Sequence, residues 1–258
     1  MATPHLPDQA RVVVVGGGIV ACSIAYHLAR IGWQDVIVLE RQKLTSGTTW
    51  HAAGLIGQLR PSQNMTKLAK YTAELYMGLE DETGQATGFK QNGSVTIATN
   101  RERLEELKRN ASMAKVFGLA VDVIDRPEVA RRYPLINTDD VLGGTWIASD
   151  GQANPIDVTQ ALAKGARSGG VRIFEDTKVT RILHDGDRVT GVATEQGEIK
   201  AQQVVLCAGM WSRDLAATVG VHVPLHACEH FYLVTEPFDA VTPDLPVFRD
   251  YDACAYYK

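Results

Sequence analysis

Residues 12–18, four valines followed by three glycines, constrain this chain more than any other stretch. The valine run is too short to span a membrane and suits a strand buried on both faces of a parallel sheet. The glycines end it, residues 19–31 read as a helix, and residues 35–39 read as a second strand that ends on Glu40. Strand, glycine turn, helix, strand and acid in that order make a βαβ nucleotide-binding fingerprint. Gly16 permits the tight turn, Gly18 lets the backbone approach a pyrophosphate, and Ala21 keeps the helix close to its strand. The unpaired N–H groups of the first turn, at Ile19, Val20 and Ala21, and the positive end of the helix dipole then face the phosphates. Glu40 lies nineteen residues after Ala21, where a carboxylate accepts from a ribose hydroxyl and disfavours the extra phosphate of NADP. NAD and FAD share the ADP moiety, and the fingerprint does not separate them.

At 258 residues the chain can bury one large core or two modest ones. Its 45% hydrophobic and 22% charged content is that of a folded globular protein rather than a disordered one. A net charge of -4 gives no reason to expect nucleic acid or an acidic membrane surface as a partner. Cys22, Cys207, Cys228 and Cys254 are scattered with no CxxC pair, which points to reduced thiols and to no metal site or disulfide framework. No apolar run is long enough for a spanning helix, and residues 1–10 lack the apolar stretch of a signal peptide. The expected compartment is cytosol-like.

The rest of the chain changes texture part-way. Residues 64–83 carry Leu68, Tyr71, Leu75 and Leu79 at helical spacing, with Gly84 as a stop. Residues 93–99 alternate like a strand; Thr99 with Glu102 reads as a capping box opening a helix through Phe117. A short strand at 121–124, a short helix after Asp125, a strand at 145–148, a helix at 156–168 and a strand at 171–175 follow. Residues 178–184, 188–195 and 199–205 are then three consecutive strands joined by Asp-Gly and Gln-Gly turns, an antiparallel meander. The last runs into Ala208, Gly209 and Trp211, a second strand-to-helix turn with small residues. Residues 221–235 alternate like a further strand, with His226, His230 and Tyr232 inside it.

The expected fold class is therefore α/β: a Rossmann-like domain with an antiparallel meander, plus part of an interleaved mixed α+β substrate domain. Residues 1–63 form its first nucleotide-binding segment and 64–148 an inserted substrate or cap segment. Residues 149–220 form the second nucleotide-binding segment, and 221–258 the start of a substrate-binding sheet. The meander breaks the uniform alternation of a simple NAD domain and favours FAD.

Eleven residues past Glu40 stands His51, inside Gly47-Thr48-Thr49-Trp50-His51-Ala52-Ala53-Gly54 and just before Leu55. The small residues leave room for a flat ring system and the threonines can donate to phosphate or ring oxygens. On composition alone His51 is a loop histidine satisfied by its neighbours. The run GTTWHAAGL after such a fingerprint, however, resembles the FAD-dependent amine-oxidising family that includes sarcosine and dimethylglycine dehydrogenases. So do QLRPS at 58–62, RYPLIN at 132–137, VVLCAGMW at 204–211, EHFYLVTE at 229–236 and FRDYDACAYYK at 248–258.

The resemblance implies that His51 carries the flavin covalently, through the 8α-methyl of its ring, and that Glu40 and Arg41 hold the adenosine end. It implies that residues 47–55 wrap the pyrophosphate and flavin, that Val179 meets the adenine side through its backbone, and that Trp211 lies beside the cofactor. It also implies an N-methyl amine substrate, with an electron-transfer flavoprotein or oxygen as electron acceptor, and a mitochondrial matrix location if the source is eukaryotic.

Oxidising such an amine moves a hydride to the flavin, and the ammonium must first lose a proton. His230 and Tyr256 match positions lining the substrate pocket in similar enzymes and are the catalytic candidates; His226 and Tyr232 read as structural. Arg60 and Arg249 have the chemistry to hold a substrate carboxylate, with no positional support for either. Relatives of this family are longer and many bind tetrahydrofolate in a C-terminal domain, so the chain is expected to be an N-terminal portion cut inside the substrate domain.

Overall fold

The computed structural model describes residues 5–258, and Met1–Pro4 of the leader discussed above lie outside the described residues. In chain order the first elements are β1 (Gln9–Val15), α1 (Ile19–Arg30), β2 (Val36–Leu39), β3 (Leu55–Ile56), α2 (Gln63–Thr83), β4 (Ser94–Ala98), α3 (Arg101–Val116), β5 (Asp122–Ile124) and α4 (Arg126–Arg132). There follow β6 (Gly143–Ile147), β7 (Gly151–Gln152), α5 (Pro155–Ser168), β8 (Arg172–Phe174), β9 (Val179–Asp185), β10 (Arg188–Thr194), β11 (Gly197–Leu206), α6 (Ser212–Ala217), β12 (Val247–Asp250) and β13 (Ala255–Tyr257).

These elements form two compact units. The first holds the residues through Ala52, Leu79–Thr87 and Pro155–Phe231. Its six-stranded sheet has the order β8-β2-β1-β11-β10-β9. The four strands from β8 to β11 are parallel and β11, β10 and β9 are antiparallel. This is the α/β sheet with a meander that the sequence predicts. Its parallel centre is apolar all round because both faces are covered: Val12, Val13, Val14, Ile37 and Val38 are all buried. Ile37 and Leu39 pack with Val13, Val15, Phe174, Val192 and Ile199 in one cluster. Helices α1 and α5 pack on each other.

The second unit holds Ala53–Gly78, Gly88–Asn154 and Tyr232–Lys258. It contains a five-stranded sheet of order β13-β12-β4-β6-β5 and the short pair β3-β7. Phe248 of β12 is packed with Val95, Ile97, Ile124, Val129, Tyr133 and Val141.

Three expectations change. The chain passes into the second unit between Ala52 and Ala53, not after residue 63, and α2 begins at Gln63. The cap of α3 is Asn100, whose side chain accepts from the Arg103 N–H at 2.8 Å; Thr99 lies one residue too early. Residues 221–235 form no strand. Alternation there names the residues that would share a face, but Pro224 interrupts it and no strand among the described residues pairs with it. Of the sheet expected over 221–258, only β12 and β13 form.

Candidate functional site

The first unit gathers its glycine turn at the carboxyl ends of β1, β2 and β11, where open α/β sheets bind ligands. Gly16 has φ +116°, and its N–H donates to the Leu39 carbonyl at 2.9 Å. Alongside, the Cys207 N–H donates to the Val15 carbonyl at 2.8 Å. A side chain at Gly16 would collide with the Cys207 carbonyl oxygen, so both conformation and contact demand glycine. Ala21 is fully buried, which seats α1 against the sheet.

Glu40 is buried, and its carboxylate turns back on the turn. One oxygen accepts from the Gly17 N–H at 2.6 Å and the other from the Gln42 N–H at 2.9 Å. The carboxylate expected to face a ribose thus also closes the glycine turn; with about four acceptor positions it retains capacity for a further donor. Nothing in the sequence signals this second task.

Sequence reasoning also missed how α1 is capped. Gly18 supplies no side-chain cap, and the Thr49 hydroxyl accepts from the Ile19 N–H at 3.1 Å instead. The N–H groups of Gly18, Val20 and Ala21 have no acceptor among the described residues. A side chain at Gly18 would meet only Thr49 Oγ1, at 3.0 Å. Unmet backbone donors at a helix N-terminus, an approach over Gly18 bounded by the Thr49 hydroxyl alone, and that hydroxyl's capacity to donate are the chemistry a diphosphate requires. These residues fit the pyrophosphate of FAD.

Beside them, two stretches distant in sequence meet, residues 41–48 and 208–211. The Arg41 guanidinium lies 3.8 Å over the Trp211 ring. A side chain at Gly47 would touch that same ring at 3.3 Å, and one at Gly209 (φ +56°) would stand 3.9 Å from the Thr48 hydroxyl. Such a stack is worth about 0.5–1 kcal/mol at an exposed position. It is the contact through which Arg41, Gly47, Thr48, Gly209 and Trp211 share one wall, with Ala208 half-buried behind them. Thr49, Trp50 and His51 form a single 3-10 turn closed by the His51 N–H to Thr48 and the Ala52 N–H to Thr49, at 3.3 and 3.2 Å. The Trp50 and His51 rings lie 3.7 Å apart at 34°, and both residues are exposed.

The remaining candidates separate. Ala53, Gly54 and Leu55 belong to the second unit. Val179 opens β9, half-buried against the apolar cluster of the first unit. His230 is exposed on the irregular run of the first unit, whereas Tyr256 lies on β13 of the second. The buried thiol of Cys22, which points at the Gly17 carbonyl, is pushed up to about 12 by burial, and burial raises Cys207 as well. Neither is a nucleophile at neutral pH.

Residues 11–257 match the family model described as DAO, FAD dependent oxidoreductase. The chain belongs to that family. It is 40% identical over 256 residues to the mitochondrial pyruvate dehydrogenase phosphatase regulatory subunit of Mus musculus, covering 98% of this chain and 29% of that protein. It is 42% identical to the formaldehyde-forming 4-methylaminobutanoate oxidase of Paenarthrobacter nicotinovorans, over 100% of this chain and 31% of the relative. It is likewise 42% identical to mitochondrial sarcosine dehydrogenase of Homo sapiens, over 98% and 28%. The chain thus spans less than a third of the length of the curated relatives it matches. Among solved structures, L-proline dehydrogenase of P. horikoshii superposes with a TM-score of 0.79 at 31% identity, over 84% of this chain and 57% of that one. The resemblance carried by the tryptophan–histidine segment and the later runs pointed to this family.

Proposed function

We propose that the full-length protein is a flavoprotein that oxidatively demethylates an N-methyl amino acid of the sarcosine or dimethylglycine kind. FAD is held by the first-unit cradle and carried covalently by His51. The observation that carries this reading is the double role of one turn: Thr49 caps the dinucleotide helix while His51, two residues on, stands exposed beside Trp50. The imidazole is thereby held two residues from the hydroxyl that caps the phosphate-facing helix, on an exposed residue. Gly16, Gly18, Ile19, Val20, Ala21 and Glu40 serve the diphosphate and ribose. Arg41, Gly47, Thr48, Ala208, Gly209 and Trp211 form the wall beside them, and Val179 serves the adenine side. Residues 52–55 continue from the turn along the flavin.

When bound, FAD supplies the acceptor for a hydride from the N-methyl carbon. The chain's own task is to keep the substrate nitrogen unprotonated, and His230 and Tyr256 are the residues proposed to hold that proton. The electron-transfer flavoprotein or oxygen that reoxidises the flavin, any use of tetrahydrofolate elsewhere in the full-length protein, and a cytoplasmic or matrix location belong to the same proposal. No helix among the described residues is long and apolar enough to cross a membrane.

In the full-length protein, yellow colour should stay with acid-precipitated polypeptide, and His51→Ala should release it to the supernatant. Loss of the Trp50 ring contact should cost His51→Ala about 1 kcal/mol of folding stability. Flavin extracted by acid from the unmutated protein would defeat the covalent assignment. Equal identity to the 4-methylaminobutanoate oxidase supports a longer N-methyl amino acid as the second substrate reading, and anaerobic bleaching with each amine separates the two. The 40% identity to a regulatory subunit supports a third reading, a flavin module without turnover. Bound flavin that no amine bleaches would establish it.

A further inference from the structure

The second unit sets two cations against one short piece of backbone. β12 pairs antiparallel with β13, with Arg249 opposite Tyr256, so those two side chains leave the same face of the hairpin. The neighbouring pair, Phe248 and Tyr257, takes the other face with rings 5.8 Å apart, and Phe248 enters the apolar core. Lys258 stands two residues beyond Tyr256 and by strand alternation returns to the Arg249 side. The cations then meet the backbone around β3. A methyl group at Gly57 would stand 2.6 Å from a guanidinium nitrogen of Arg249, and one at Gly54 would stand 3.0 Å from Lys258 Nζ.

Lys258 spends one of its three donors on the Ala153 carbonyl, at 2.8 Å. No carboxylate among the described residues forms an ion pair with either cation. Asp150 feels the Arg249 charge, but its own oxygens accept from the Gln58 N–H at 2.9 Å and the Ser94 hydroxyl at 2.7 Å. A half-buried guanidinium with its fork unspent and a second cation on one face match the two oxygens of a planar carboxylate.

We propose that Arg249, assisted by Lys258, binds the carboxylate of a small-molecule acid. The assignment deepens the functional reading above, because it gives the acid end of an N-methyl amino acid a place to bind. Glycine at 57 then has a stated purpose: it leaves room for the guanidinium to lie on the backbone.

The test uses the full-length protein with its flavin and acetate as the probe, followed by calorimetry. Arg249→Met should weaken acetate binding roughly 10- to 100-fold, and Arg249→Lys, which keeps the charge but loses the fork, should recover only part of that loss. Gly57→Ala should weaken it comparably while retaining Arg249, because the new methyl displaces the guanidinium. Kinetically, the KM for sarcosine should rise by a similar factor in these variants with kcat moving less, and a methylamine lacking a carboxylate should be unaffected. Acetate affinity unchanged in both Arg249→Met and Gly57→Ala, or inorganic phosphate binding more tightly than acetate, overturns the proposal. A lowered melting temperature with intact acetate affinity would make Arg249 a counter-charge for Asp150 and also overturn it. If no N-methyl amine is oxidised by the unmutated protein, the functional reading fails, and acetate binding still decides the site.

Discussion

Two places in this molecule press a charged side chain onto glycine backbone, and they do so with opposite economy. In the first unit Glu40 is buried and both of its oxygens accept from backbone N–H groups at the glycine turn. In the second unit Arg249 lies over Gly57 with its fork unspent. The anion gives its short contacts to architecture and keeps only its remaining acceptor positions for a ribose. The cation is the group proposed above to meet a ligand carboxylate. A charged group against a glycine therefore says little about function until its hydrogen bonds have been counted, and the sequence offers no way to count them.

Breaking the first side of that contrast should have the largest effect. Glu40→Ala strands the buried Gly17 N–H and should destabilise the apoprotein by roughly 3–6 kcal/mol, taking about 1.5–3 kcal/mol for each of the two bonds to a charged acceptor. Glu40→Gln keeps one good acceptor and should cost about half. Denaturant titration checks both, and a loss below about 1 kcal/mol for the alanine variant would mean that the turn closes without the carboxylate.

Asp150 sharpens the contrast, because the second unit also buries an acid on backbone and hydroxyl donors. Burial holds its carboxyl above the usual carboxylate range, against the pull of the Ser94 and Gln58 bonds and the Arg249 charge. Folding thus favours the protonated acid. The favourable contribution is complete below the unfolded value of about 3.9 and is lost as pH rises through the folded one. The denaturation midpoint of the native protein should therefore fall, relative to Asp150→Asn, as pH is raised from about 4 upward. Parallel curves for the two proteins would show that Asp150 ionises in the fold as freely as in water.

The smallest effect belongs to Asn100, a neutral and more exposed version of the same device. Asn100→Ala should cost about 1 kcal/mol through the lost cap of α3, and Thr99→Ala much less. The reverse order would restore the capping box read from the sequence.

What was legible follows the range of the interactions. The valine run, the three glycines and the acid at Glu40 announce a βαβ unit because spacing along the chain is enough to specify one. The meander was equally visible, since each of its turns is local. Residues 221–235 misled because alternation supplies a face but not a neighbouring edge. The redirected Glu40, the Thr49 cap and the Arg41–Trp211 stack were invisible, each joining residues whose proximity only the folded sheet creates. His51 was singled out by resemblance, and its exposed stacking on Trp50 adds a geometry that the resemblance did not contain.

The Thr49 cap has a temporal consequence. A helix capped by its own N-terminal neighbour can be complete as soon as its first turn closes. Helix α1 instead takes its acceptor from thirty residues downstream, so its end is finished only after β2 has joined the sheet and the Thr49 turn has docked. Closing a loop of that length costs conformational entropy that a local cap would not. The diphosphate cradle is therefore complete only in a chain whose Thr49 turn has docked on helix α1.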